Sequence, residues 1–201
     1  MLTFVERYGA NNFSQNGEDG IIAECLERMN IQKGICAEFG AADGKFCSNT
    51  YYLLQQGWKG IMIESDPELF EKLINNTKGL KCVVVQGMVT PGNINSILTV
   101  KQDVLSIDTD GSNDYDCWKE YLGEANIVII EINSSIDPLT EYINEGTSYR
   151  TMFELGIEKG YFLLCHTGNM VFIRNKFKDL FPEITGHPLI DIELYFNKSW
   201  L

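Results

Sequence analysis

Short apolar runs that stop abruptly at a glycine or an acid recur along this chain, separated by stretches with apolar residues at helical spacing. Gly34–Gly40, Gly60–Glu64, Lys81–Val85, Val104–Ile107, Asn126–Ile130, Tyr161–Cys165 and Met170–Ile173 read as strands. A strand wetted on one face alternates apolar and polar residues. Ile61-Met-Ile63 and Val83-Val-Val85 do not alternate, so such strands are expected to be covered on both faces. Only a sheet with helices on both sides does that. The last two runs are joined by Thr167-Gly-Asn169 alone, too short for a crossover, so they must run antiparallel. The expectation is an α/β sandwich: a mostly parallel sheet with one antiparallel edge strand.

The intervening segments supply the helices. Asn11–Met29 carries Ile21, Ile22, Cys25, Leu26 and Met29 at helical spacing and reads as an N-terminal amphipathic helix. Asn49-Thr50 is placed to cap a helix that runs through Leu54 and stops at Gly57. Asp66-Pro67 has an N-cap acid followed by proline at the first helical position, before Leu69, Phe70, Leu73 and Ile74. A helix is expected around Trp118 to Leu122, and Thr147 is placed to cap another through Met152, Phe153 and Ile157. No linker or repeat interrupts the pattern, and 201 residues suit one domain, 1–201.

Charge narrows the partners. With 28 acidic residues against 16 basic and a net charge of −12, the surface is ill suited to duplex nucleic acid or an anionic membrane. A small molecule or a cationic ligand fits better. No apolar run approaches the roughly 18 residues of a membrane span, and Met1–Gly9 lacks a signal-peptide layout, so the expected location is cytoplasmic. The six cysteines form no C-x-x-C pair and lie mostly in or beside apolar runs, the pattern of buried reduced thiols.

In an open parallel sheet, ligands sit at the carboxyl ends of the strands near the point where strand order reverses. Those ends are acidic here. The first strand delivers Glu38, Gly40, Asp43 and Gly44; the second Glu64, Ser65 and Asp66; the fourth Asp108 and Asp110; the fifth Glu131 and Asn133. Glu38-Phe-Gly-Ala-Ala-Asp-Gly44 lacks the spacing of the dinucleotide fingerprint, and a pyrophosphate would meet Glu38 and Asp43 as like charges. A cationic cofactor such as S-adenosylmethionine reverses that sign, and Glu64 could accept its ribose hydroxyls. For single residues such as Asp66 and Asp116, a helix cap or a solvated loop charge remains the simpler reading.

The motifs Glu38-Phe-Gly-Ala-Ala-Asp-Gly44 and Gly60-Ile-Met-Ile-Glu64 resemble the first two motifs of class I S-adenosylmethionine-dependent methyltransferases. Ser14-Gln-Asn-Gly-Glu-Asp-Gly20, Leu105-Ser-Ile-Asp-Thr-Asp-Gly111 with Asn113-Asp-Tyr115, and Val128-Ile-Ile-Glu-Ile-Asn133 are similar to the FkbM-like branch, many members of which act on sugar or polyketide hydroxyls. The resemblance implies a Rossmann-like seven-stranded fold and O-methylation of a small or glycan-type hydroxyl acceptor. It implies cofactor contacts at Glu38, Gly40, Ala42, Gly44, Glu64, Ser65, Gln86, Gly87 and Asp108. Ala42 stands where the family often has glycine, and the chain is short for a substrate-binding insertion.

Two further readings concern the acceptor end. Asp108, Asp110, Glu131 and Asn133 could bring oxygen ligands together around Mg2+, which would bind the acceptor hydroxyl and lower its pKa; the alternative is a metal-free site in which Asp108 faces the sulfonium. As a calcium loop, Asp108–Lys119 fails, since Asn113 and Lys119 occupy the glycine and glutamate positions. Asp108 and His166 are the candidates for proton acceptor, His166 alternatively being a hydrogen-bonded turn residue. Tyr51, Tyr52, Tyr115 and Trp118 either line a pocket or pack on helix faces. A non-catalytic nucleoside-binding protein and an NAD-dependent enzyme are the competing functional classes.

Overall fold

A computed structural model describes residues 2–109, 113–144 and 146–196. In chain order the elements are α1 (Phe4–Tyr8), α2 (Glu18–Arg28), β1 (Ile35–Phe39), α3 (Tyr51–Gln55), β2 (Lys59–Glu64), α4 (Pro67–Asn76) and β3 (Cys82–Gln86). Then follow α5 (Ile94–Ile97), β4 (Val104–Ile107), α6 (Asn113–Glu120), β5 (Ile127–Glu131), α7 (Tyr149–Glu158), β6 (Tyr161–His166) and β7 (Asn169–Arg174). The strands form one seven-stranded sheet in the order β3-β2-β1-β4-β5-β7-β6.

From β3 across to β5 every pairing is parallel. The reversed strand is β7, which inserts between β5 and β6, so the edge itself belongs to β6. Chain order reverses between β1 and β4. Register there sets Glu38 beside Ser106 and Phe39 beside Ile107, so the loops after β1 and β4 leave side by side.

Alternate residues of each strand feed two separate cores. Ala37, Phe39, Leu105, Ile107, Val128 and Ile130 face one side, where α6 and α7 bring Trp118, Tyr149 and Met152. Cys36, Met62, Val104, Ile127 and Ile129 face the other, covered by Phe4, Ile21, Ile22, Cys25, Leu53, Leu54 and Leu73 from α1 to α4. Both faces of the central strands are therefore dry, which accounts for their unbroken apolar runs; the edge strand β3 departs from the expectation, since Val83 is exposed and none of its residues is buried. Trp118 is wholly buried against Phe172 and Tyr161, and Tyr51 is buried with its hydroxyl donating to Asn76 O, so both serve packing. All six cysteines are free thiols, and burial pushes the Cys25 and Cys36 thiols well up.

Three helices differ from expectation, α6 among them, since it runs Asn113–Glu120 rather than around Trp118 to Leu122. The N-terminal helix begins at Glu18 rather than near Asn11, because Asp19 Oδ2 gathers the backbone N–H groups of Asn12, Phe13 and Ser14 at 2.7–2.9 Å and winds that stretch into a loop. Ser148, not Thr147, caps α7, its hydroxyl accepting from Thr151 N. Asp66 caps α4 as expected, accepting from Glu68 N and Leu69 N at 2.9 Å each.

Candidate functional site at the carboxyl edge of the sheet

The sequence-derived residues Glu38, Gly40, Ala42, Gly44, Glu64, Ser65, Gln86, Gly87 and Asp108 lie along the carboxyl ends of four neighbouring strands, β3-β2-β1-β4. The turn after β1 is tightly wound. Gly40 has φ +62°, and a Cβ there would sit 1.7 Å from Asp108 O, so only glycine lets the β1 and β4 loops approach this closely. Ala42 adopts φ +47° despite its side chain. At Gly44 (φ +75°) a Cβ would strike Leu73 Cδ1 at 2.2 Å, which seats the turn on α4.

Glu38 closes this loop from below. It is 4% exposed; Oε2 accepts from Ser48 Oγ at 2.6 Å and Thr50 Oγ1 at 2.7 Å, and Oε1 accepts from Asn49 N at 2.8 Å. Burial raises its carboxyl above the ordinary range, and the hydrogen bonds oppose that shift. The Thr50 hydroxyl, drawn to Glu38, makes no cap bond to α3. Asn49 Nδ2 donates to Ser106 Oγ at 3.0 Å and extends the network to β4. Glu38 thus ties both ends of the loop to the sheet.

Glu64 plays a related part at the end of β2. Its Oε2 accepts from Ala42 N at 2.8 Å and its Oε1 from Asp66 N at 2.7 Å, with Ser65 Oγ at 3.5 Å. A carboxylate has about four lone-pair sites, and these bonds use three of them, the 3.5 Å one weakly, so acceptor capacity remains chiefly on Oε2. Beyond it, Gly87 N donates to Glu64 O at 2.9 Å, which brings the end of β3 alongside, while Gln86 is exposed.

Asp108 is half-buried where β4 ends, near enough to Glu38 to raise its carboxyl further. Asp114 holds the following turn, accepting from Thr109 N at 3.1 Å and Thr109 Oγ1 at 2.5 Å. Asp110 lies outside the described residues. Asn133 Oδ1 is engaged locally by Ser135 N at 3.1 Å and Ser135 Oγ at 2.5 Å. Among the described residues no three His, Cys, Asp or Glu side chains come together to hold a metal ion, so the Mg2+ expectation at Asp108, Asp110, Glu131 and Asn133 gains no support.

His166 is enclosed. It stands at the same edge of the sheet but is wholly buried, stacked on Phe196 (4.3 Å, 6°) with Nε2 2.8 Å from Ser134 Oγ. Burial lowers its pKa to about 4. An enclosed imidazole that holds a proton so weakly is poorly placed to collect one from an acceptor.

One residue at this edge escaped the sequence reading. Glu18, the first residue of α2, is wholly buried; Oε1 accepts from Thr167 Oγ1 at 2.6 Å and Asn169 Nδ2 at 3.4 Å, and Oε2 from Asn16 N at 2.8 Å. It anchors the N-terminal loop to the β6–β7 turn. Its sequence signal is the Ser14–Gly20 motif, in which it is the fifth residue.

No family model and no curated protein sequence matches the chain. Solved structures do. An O-methyltransferase from Bacillus cereus in complex with S-adenosylhomocysteine superposes with a TM-score of 0.54 at 14% identity, over 84% of this chain and 85% of that one. A 1,6-didemethyltoxoflavin-N1-methyltransferase from Burkholderia thailandensis, with bound 1,6-didemethyltoxoflavin and S-adenosylhomocysteine, gives 0.52 at 13% identity over 80% and 79%. The chain has the Rossmann-like α/β fold of S-adenosylmethionine-dependent methyltransferases.

Proposed function

We propose that the protein is an S-adenosylmethionine-dependent methyltransferase of the FkbM-like type that methylates a hydroxyl of a small or sugar-type acceptor. The observation that carries this reading is the position of Glu64. Its carboxylate closes β2, bonds across to Ala42 N in the turn after β1, and keeps acceptor capacity on Oε2 for a ribose hydroxyl, the long 3.5 Å contact from Ser65 Oγ being the one a second hydroxyl would displace. Gly40 is exposed, and Asp108 O fills the space of its missing side chain, which holds the turn against the end of β4. The acids at these strand ends suit a sulfonium and an α-ammonium and oppose a pyrophosphate, which sets the NAD reading aside.

When bound, the cofactor supplies an electrophilic methyl group. The chain's own residues then have three tasks. Glu64 with Ser65, and Gln86 with Gly87, hold the nucleoside end; Gly40, Ala42 and Gly44 shape the turn, and Glu38 fixes it. Asp108, at the β1–β4 divide, accepts the proton that the hydroxyl loses as its oxygen attacks the methyl carbon. Alignment of oxygen, carbon and sulfur supplies most of the rate.

Calorimetric titration with S-adenosylhomocysteine, with NAD as comparator, tests the reading. Binding of the nucleoside thioether and not of NAD is expected. Glu64→Ala should weaken that binding by about 1–3 kcal/mol through loss of charge-assisted hydrogen bonds. An affinity that ignores Glu64→Ala, in a variant that stays folded, removes Glu64 from the site.

A further inference from the structure

The two edges of the sheet are finished differently. Segment 181–196 covers β6, whereas β3, among the described residues, pairs with β2 alone. Gly60 N donates to Lys81 O and Gly87 N to Glu64 O, each at 2.9 Å, which fixes the phase of this parallel ladder. Lys81, Val83, Val85 and Gly87 bond inward to β2. Cys82, Val84 and Gln86 therefore turn their N–H and C=O groups outward, to the side where no described strand lies.

Natural sheets blunt such an edge with a charge, a proline or a bulge. Cys82-Val-Val-Val-Gln86 has none of these, and its register against Gly60–Glu64 is unbroken. The surroundings are apolar and wet. Val83 is 62% exposed and Met88 60%, the next helix, α5, is only four residues long, and α4, which packs on β3, leaves Ile74 exposed.

Charge selects the occupant. At the amino ends of β2 and β3 stand the exposed Lys59 and Lys81; at the carboxyl end of β2 stand Glu64 and the exposed Asp66. A strand laid antiparallel on this edge must offer acids near Lys81 and lysine near Glu64, with β-branched residues between. A second β3, with its β2, does both. We propose that β3 is the interface of a homodimer, in which two copies pair antiparallel with Val84 on the two-fold axis. Val84 exchanges both backbone bonds with the partner's Val84, and Cys82 and Gln86 do so with the partner's Gln86 and the partner's Cys82. One residue further, the partner's Lys81 comes level with Ser65, between Glu64 and Asp66, about 10 Å away at two strand spacings. A parallel pairing would set lysine against lysine and acid against acid. The net charge of −12 on each copy acts mostly beyond the roughly 8 Å screening length, so local complementarity decides. Each chain thus lends a lysine to the rim of the other's candidate site, whatever that site binds.

Sedimentation equilibrium of the full chain at micromolar concentration should give twice its 22.8 kDa. Val84→Pro replaces an N–H that bonds no strand in the single chain, so it should leave the inner ladder in place and raise the dissociation constant about tenfold or more. Val83→Lys sets an ammonium at a position already open to solvent, should do the same, and serves if Val84→Pro does not fold. Lys81→Glu should also loosen the dimer, because it turns the attraction to the acids at Glu64 and Asp66 into repulsion. Hydrogen exchange reads the register: the amides of Cys82, Val84 and Gln86 should be protected at high concentration and exposed on dilution, those of Val83 and Val85 protected at both. A single-chain mass throughout overturns the proposal, and so does a dimer that Val83→Lys and Lys81→Glu leave unchanged. Outward amides protected in a chain that sediments singly would mean that the edge has another cover, which overturns it too. Binding of S-adenosylhomocysteine is a separate result, so the methyltransferase reading stands or falls independently.

Discussion

Ala42 shows how one residue can be correct for a fold and still strained in it. At φ +47° an L-residue pushes its Cβ toward the following carbonyl, at a cost of about 1–2 kcal/mol, whereas glycine incurs only its greater loss of chain entropy. The turn nevertheless keeps this geometry, because Ala42 N donates to Glu64 and Gly44 N to Ala41 O at 2.7 Å. Ala42→Gly should therefore stabilise the protein by about 0.5–1 kcal/mol in urea unfolding. A loss of stability would mean that the alanine methyl contributes packing that outweighs the strain. The sequence exposed this position as a departure from the family's glycine, but not its sign. Glu38 was legible as an acid at a strand end, whereas its commitment to Ser48, Asn49 and Thr50 was not, since hydroxyls some ten residues on carry no local signal.

Among the elements, the strands were the readable part, because burial on both faces leaves continuous apolar runs with sharp ends in the central strands, although the run at β3 turned out half-exposed at the edge. Capped helices came next: α4 starts where Asp66-Pro67 says it must. What the sequence concealed is how the sheet's second edge is covered. β6 is buried along its whole length, with His166 N donating to Tyr195 O and Phe181 lying 5.7 Å from Phe162. Arg28 ties this cover to the N-terminal helices. Its guanidinium bonds Glu24 at 2.7 Å, Glu183 at 2.8 Å and Leu180 O at 3.1 Å, and lies over the rings of Phe4, Tyr8 and Phe181 at 5.0–5.3 Å. No periodicity announces a contact between residues so far apart in sequence. Arg28→Ala should cost about 1–3 kcal/mol, since it removes partly buried charge-assisted bonds and stacking together. Hydrogen exchange should show the 181–196 segment opening before the sheet does. Uniform exchange across sheet and cover in the variant would deny Arg28 its role as the tie. Arg28→Met, which keeps the apolar stem, should recover part of the loss.

For the molecule as a whole, acid stability records how two buried ionisable groups oppose each other. An unfolded His166 takes up a proton near its ordinary 6.5, but the native site resists until about 4, so the unfolded state binds more protons throughout that interval. Stability must then fall as pH drops from 6.5 to 4, by about 3 kcal/mol from this group. Glu38 works in the other direction. Its native carboxyl is raised, so the folded state protonates first and gains stability as pH falls toward 4.5. The sum alone would therefore conceal each term, and a comparison with His166→Gln separates them. Unfolding free energies of the two proteins, measured by urea titration from pH 7.5 to 4, should converge by about 3 kcal/mol toward acid, because only the unmodified chain carries the histidine penalty. The variant's own curve should then slope upward toward acid from the Glu38 contribution. Parallel curves would mean that the native imidazole takes up its proton as readily as the unfolded one does. Protonation would then have to be accommodated between Ser134 and Phe196, and His166 would return as a candidate to accept the acceptor's proton.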